Sequence, residues 1–406
     1  MTDPKKQAAV SVLSQMFALS YIAGTSKKNL TAVAVLRMVT LSCLHGLSPY
    51  SPHGLASFAY AQATMGDFAQ AEEIALIALD LIDRIPGADA FAGRTQLVVN
   101  GLIFPWVKGK QLPDIHPQFI RSFHAAMAHG DIDQAFFGPA HYLILGSIRG
   151  TPIEELNADY ERYILAMKEY QINHIVAFPL AQWRLIRMLT GKGDHTTEGD
   201  NIDVTGLYEA FNEMFKSETI VFAEFGCEAT AKILLGTYGE NLEEDERRIG
   251  FMMKNVDCLG AHLSRALFDL LITLGCMILH KKTGDRKYYR FQLKMVKVLK
   301  KYYKSQAPIG MAPYLLAIAE TMANKPRRKT WEDIQRAYLE AIDTARHFGG
   351  FILVEAYGYE KLAKLAEDRS DGPKALFYLQ EALGTYTRWG ATVKIDELTE
   401  RLATLR

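Results

Sequence analysis

Apolar residues recur along this chain at steps of three and four, broken by short polar interruptions, and runs of strict two-residue alternation are nearly absent. Such steps place side chains on one face of an α-helix, so the pattern predicts an all-α protein of roughly eighteen helices, each about 12 to 20 residues long. The interruptions are chemically alike. Gly66-Asp67, Gly130-Asp131 and Gly284-Asp285 each separate a pair of periodic runs, and Asp371-Gly372 does so in reverse order. Glycine reaches the left-handed conformation that ends a helix, and aspartate accepts the free N–H groups that begin the next. Ser51-Pro52, Thr151-Pro152 and Thr330 read as further helix starts.

Around the first break, Ala59, Ala71 and Ala78 fall at the small positions of a tetratricopeptide helix pair, a unit of about 34 residues, and Phe68 falls where an aromatic ring is usual. Small residues there let antiparallel helices approach closely, while Phe58, Ile74 and Leu81 fill the next layer. A second glycine turn, AMAHGDIDQAFF, follows after 64 residues, with Ala135 in the role of Ala71. That spacing is not a multiple of the unit, so the repeat is irregular. Pro139 is expected to bend or shorten its second helix. Ala363, Ala375 and Ala382 mark another pair near the C-terminus. The polar stretch 191–203, GKGDHTTEGDNID, predicts a loop or hinge between an N-terminal half, 1–190, and a C-terminal half, 204–406. Helix pairs that cannot bury their apolar faces alone must stack, which gives an irregular α-solenoid of TPR-like pairs.

Charge narrows the partners. Lysine and arginine number 46, as do aspartate and glutamate, so the overall field draws the chain to neither nucleic acid nor membrane. The most apolar stretch, ALFDLLITLGCMIL, is shorter than the roughly 20 residues of a membrane span and holds Asp269. Lys5 and Lys6 precede AAVSVLSQMFALSYIAG in the manner of a signal segment, but Ser11, Ser14 and Gln15 interrupt it, and Val10, Leu13, Phe17 and Ala18 keep helical spacing. Cys43, Cys227, Cys258 and Cys276 are too scattered for a disulfide framework or a metal site. A cytoplasmic protein is expected.

One stretch departs from this balance. Lys281 to Lys304 carries ten basic residues and one acid, Asp285. On a helix Arg290, Lys294, Lys297, Lys301 and Lys304 form a stripe, with Phe291, Val298 and Tyr302 marking the buried side; KPRRK at 325–329 adds charge nearby. The stripe reads either as a solvated helix face or as a site for an acidic peptide, a phosphate or an anionic surface. ENLEEDERR, 240–248, complements a helix dipole and does not by itself make a metal site. His124 and His129 are five apart, His116, His141 and His262 are isolated, and no local set of Ser, His and acid forms a triad. Trp106, Trp183 and Trp389 sit on apolar helical runs. No catalytic, metal or cofactor residue is expected.

Two segments carry a resemblance. LRMVTLSCLHGLSPYSPHGLASFAYAQATMGDFAQAEEIALIALDLIDR, 36–84, and ALFYLQEALGTYTRWGATVKIDEL, 375–398, resemble the helical region that follows the AAA-type ATPase module in large serine/threonine kinase–ATPase–sensor histidine kinase proteins. Tyr386, Trp389, Gly390, Ala391 and Lys394 match its YxxWGAxxK ending. The resemblance implies a regulatory region that contacts neighbouring domains. It implies no chemistry, because no GxxxxGK[ST], HRD or DFG motif occurs here. The expected function is a non-catalytic scaffold for a protein or peptide partner, kinase or ATPase domains included. The alternative is a small-molecule sensor or enzyme with a pocket between helical layers near 191–203.

Overall fold

The computed structural model describes residues 1–22, 28–192, 217–324 and 329–405. Most of the proposed hinge, 193–203, therefore lies outside the described residues, as does 325–328 of KPRRK. Among the described residues all regular structure is helical. In chain order the longer helices are α1 (Pro4–Ile22), α2 (Lys28–His45), α3 (Ser51–Met65), α4 (Phe68–Arg84), α5 (Ala92–Val98), α6 (Leu112–Ala128), α7 (Phe137–Arg149), α8 (Ile153–Glu169) and α9 (Asn173–Leu189). Then come α10 (Glu218–Leu234), α11 (Leu242–Lys254), α12 (Arg265–Thr283), α13 (Arg286–Lys304), α14 (Pro308–Ala323), α15 (Trp331–His347), α16 (Ile352–Glu367), α17 (Gly372–Trp389) and α18 (Thr392–Leu405). Each packs chiefly on its sequence neighbour, with secondary contacts between some alternate helices, as in α12 with α14. Antiparallel pairs thus stack into an irregular solenoid.

The turns form as their chemistry requires. Gly66 takes φ 92°, and Asp67 accepts from the Gln70 N–H at 3.1 Å. Gly284 takes φ 73°, and Asp285 accepts from Lys287 N–H at 2.8 Å. Thr330 and Asp333 close a reciprocal capping box at the start of α15. Ala59, Ala71, Ala75 and Ala78 are wholly buried where α3 meets α4, and Ala363, Ala375 and Ala382 where α16 meets α17. The turn at 130–131 behaves differently: Ile132–Ala135 makes one helical turn, Phe136 breaks it, and α7 restarts with Pro139 in its first turn. Pro139 lacks the N–H an interior position would need, so the helix is shortened as expected.

Residues that precede and follow the 191–203 stretch touch along a seam. Trp106 Nε1 donates to the Ala261 carbonyl at 2.6 Å, and Gly260 lies so near Tyr60 on α3 that a Cβ there would collide with its hydroxyl. Arg149 Nε donates to the Gly349 carbonyl at 3.1 Å, with Gly150 set against Ile352. Farther on, α9 meets α18.

Candidate functional site

Helix α13 carries the stripe. Arg290, Lys294, Lys297, Lys301 and Lys304 are all exposed, and among the described residues none of them forms an ion pair. Lys294 Nζ sits 5.2 Å from the centre of the Phe291 ring. The inward face is rotated from the expected one: Tyr288, Gln292, Met295 and Leu299 are buried, whereas Phe291, Val298 and Tyr302 are half-buried. Tyr288 can turn inward because its hydroxyl donates to Glu246 at 2.8 Å. The five cations therefore form a ridge on the solvent side. Lys329 is exposed before α15, and the rest of KPRRK is not described.

A cavity of about 750 Å³ opens beside the C-terminal end of that ridge. Its walls come from α2 and α3 on one side, with Val35, Leu36, Phe58 and Met65, and from Phe68 and Trp106 at the seam. The 257–265 segment and α13 supply the floor, with Asp257, Arg265, Lys301 and Tyr302. Phe68 stacks on Trp106 at 5.5 Å between centres, and Tyr302 meets Trp106 edge-on at 4.8 Å. Trp106 stands in a 3-10 turn with Pro105, not on the α-helical run that periodicity suggests.

The floor explains the acid in the apolar stretch. Arg265 Nε donates to both Asp269 oxygens, at 2.9 and 3.0 Å, its other arm reaches Asp257 at 3.1 Å, and the Tyr302 hydroxyl donates to Asp269 at 3.1 Å. Burial works against the Arg265 charge, and the facing Asp269 overcomes it; burial likewise raises the Asp269 carboxyl against the pull of Arg265. The pair is internally neutralised and holds the floor rigid. A second, more open groove of about 1100 Å³ runs between 108–111 and α15, where Lys108 and Arg336 mix with Glu332, Glu340 and Asp343. The described walls of the 750 Å³ cavity come from α2, α3, α13 and the seam; of the 191–203 stretch, 193–203 lie outside the described residues.

The structure also assembles a set that local sequence does not reveal. Ser14 Oγ lies 2.8 Å from His53 Nδ1 and accepts from Arg94 at 2.9 Å, while Arg94 donates twice to Asp131, at 2.8 and 2.5 Å. Ser, His and acid are present, yet the carboxylate serves the arginine instead of orienting the imidazole. All but Asp131 are buried, and burial with the nearby Arg94 charge lowers His53 to about 3. The set ties α1, α3 and α5 together. Its one sequence signal is an arginine in the small, apolar run ADAFAGRTQLVV. Other candidates resolve similarly. His116, His141 and His262 are buried, and the His141 and His262 rings stand 5.1 Å apart across the seam. His124 and His129 are exposed. Asp245 of ENLEEDERR is buried, accepting from Gly239 N–H at 2.6 Å and Lys232 at 3.0 Å, and Glu244 pairs with Arg247 at 2.7 Å. Burial pushes the Cys227 and Cys276 thiols up, the latter to about 12. Trp183 donates to Asn157 at 2.7 Å.

The YxxWGAxxK residues are packing residues. Gly390 ends α17 at φ 88°, Ala391 and Trp389 are buried, and Lys394 is enclosed, donating to Glu360 at 2.9 Å and Glu397 at 2.7 Å. The Tyr386 hydroxyl donates to the other Glu360 oxygen at 3.0 Å. The motif knots α16, α17 and α18 together.

No family model and no curated protein matches this sequence. Among solved structures it is similar to one described as a circular tandem repeat protein with novel repeat topology and enhanced subunit contact surfaces, at 11% identity over 98% of this chain and 96% of that one, with a TM-score of 0.15. A likeness of that size carries no argument, and the fold rests on the helices themselves.

Proposed function

We propose that this chain is a non-catalytic helical-repeat scaffold of the cytoplasm that binds an acidic segment of a protein partner along α13. The supporting observation is the unpaired ridge. Arg290 and Lys294, Lys297 and Lys301, and Lys300 and Lys304 are like charges four residues apart, and each such pair costs a helix about 0.2–0.5 kcal/mol. The ridge therefore works against the stability of its own helix, and a docked row of carboxylates would relieve that repulsion. The resemblance of 36–84 and 375–398 to the region beside kinase and ATPase modules extends the proposal to signalling, with such domains as neighbours.

The test is direct binding of an unstructured polyglutamate peptide, followed by fluorescence anisotropy at two salt concentrations. Alanine at Arg290, Lys294, Lys297 and Lys301 should weaken binding at least about tenfold and flatten its salt dependence. Equal binding by the native and fourfold-substituted chains would remove the ridge from the proposal. A second reading, a small-molecule sensor, is favoured by the cavity of about 750 Å³ between the halves. Its buried charges, Arg265 and Asp269, are already paired with each other, which supports binding over catalysis.

A further inference from the structure

The ridge and the cavity meet at Lys301. This residue is the fourth cation of the stripe and also lines the cavity, one helical turn past Lys297 and beside Val298 and Tyr302. Across the opening, α2 presents Leu36 to the cavity and continues outward through Val33 and Leu30 at three-residue steps, with exposures of 55, 59 and 40%. Met65, at the end of α3, is 71% exposed and completes the rim. Large apolar side chains standing together in water mark an interaction site. Here they lead into a pocket whose inner wall is Phe58, Phe68 and Trp106.

The geometry limits what fits. The floor has no cation to spare, because Arg265 is committed to two carboxylates, buried Asp269 and exposed Asp257. Positive charge at the mouth comes instead from Lys301, with Lys297 and Lys304 about one helical turn to either side of it on α13. A helix lying alongside α13 offers carboxylates at those same steps. Its other face would cover Leu36 and Met65 and insert one or two large side chains among the aromatic rings. A small molecule confined to the cavity would leave Val33 and Leu30 uncovered. Nucleic acid would need more cations where this rim is apolar.

We infer, on the basis that α13 is the docking face, that the partner element is an acidic amphipathic helix seated between α2, α3 and α13 with its apolar anchors in the cavity. This is the helix-in-groove mode of recognition, with charge setting the orientation.

Three synthetic probes test it by anisotropy and calorimetry: an 18-residue peptide with leucines at i, i+3, i+4 and i+7 and glutamates opposite; a scrambled peptide of the same composition; and polyglutamate. The ordered peptide should bind at least about tenfold tighter than both controls and become helical on binding. Leu36→Asp and Met65→Asp, both at exposed positions that leave the core intact, should erase that advantage while polyglutamate binding stays unchanged. Lys297→Glu with Lys301→Glu should weaken all acidic probes. Equal affinity for ordered and scrambled peptides overturns the amphipathic-helix inference but leaves the ridge in place. Loss of neither on Lys297→Glu with Lys301→Glu overturns both. Displacement of a bound apolar dye by laurate, with no displacement by the ordered peptide, overturns the inference in favour of a small-molecule ligand.

Discussion

Helix α13 and the C-terminal group α16–α18 are both rich in charge and use it in opposite ways. In α16–α18 two charges, Glu355 and Lys394, are buried and paired. Lys394 is enclosed between Glu360 and Glu397, and Glu355 accepts from Arg346 at 2.8 Å, Thr385 at 3.0 Å and Arg388. On α13 the five cations of the ridge face outward, share one sign and, among the described residues, form no ion pair. A buried ion pair is committed to the fold, since either partner alone would be a stranded charge. An exposed like-signed row gives the fold nothing. Charge that costs its own helix stability is the better pointer to a partner.

The contrast breaks or sharpens under four measurements. Lys394→Ala takes the buried ammonium away from Glu360 and Glu397, which are 20% and 43% exposed, and should cost about 1–3 kcal/mol in urea unfolding; a cost below about 0.5 kcal/mol would mean that this lysine is as idle for the fold as those of α13. Acid supplies the second. Burial holds His141 at about 4 and His53 at about 3, against 6.5 in an unfolded chain. The unfolded chain therefore takes up protons first, so stability is intact above pH 6.5 and falls as pH drops toward 4, by about 2 kcal/mol per buried histidine at pH 5. The lysines and arginines of α13 keep their charge throughout, so this loss reports on the interior alone; His141→Gln should make the thermal midpoint fall less steeply between pH 7 and pH 5. Third, Gly260→Ala meets both a backbone φ of +56° and the Tyr60 hydroxyl, and should cost about 1–3 kcal/mol while loosening the cavity floor. Smallest is the ridge itself: alanine at Arg290, Lys294, Lys297 or Lys301 should change stability by no more than about 0.5 kcal/mol each. A larger loss on calorimetry would show that the ridge serves the fold after all.

What could be read from sequence was local. The Gly66-Asp67 turn, the Thr330 cap and the close alanines follow from a few adjacent residues, because their physics lies within one or two helical turns. Asp131 shows where such reading stops. Its sequence is that of a cap, yet its carboxylate is taken by Arg94, 37 residues away, since a buried guanidinium is a stronger partner than a backbone N–H. The ridge was legible as an exposed row because charge needs no context to seek water. Its inward face was not, since Tyr288 is buried through its bond to Glu246 on α11, and Gln292 is buried although its polar side chain reads as solvent-facing. The cavity was least legible of all: Leu36, Trp106, Arg265 and Tyr302 are far apart in sequence and come together only across the seam.

The seam has a mechanical meaning. An open coil of helix pairs lengthens under load by spreading its turns, with little resistance at each step. Here Arg149 grips the Gly349 carbonyl and Trp106 grips that of Ala261, so the spring is stitched across its own windings. Tension between the ends must tear those stitches before any winding can spread, and the molecule meets a pull as a stiff block first and a coil second.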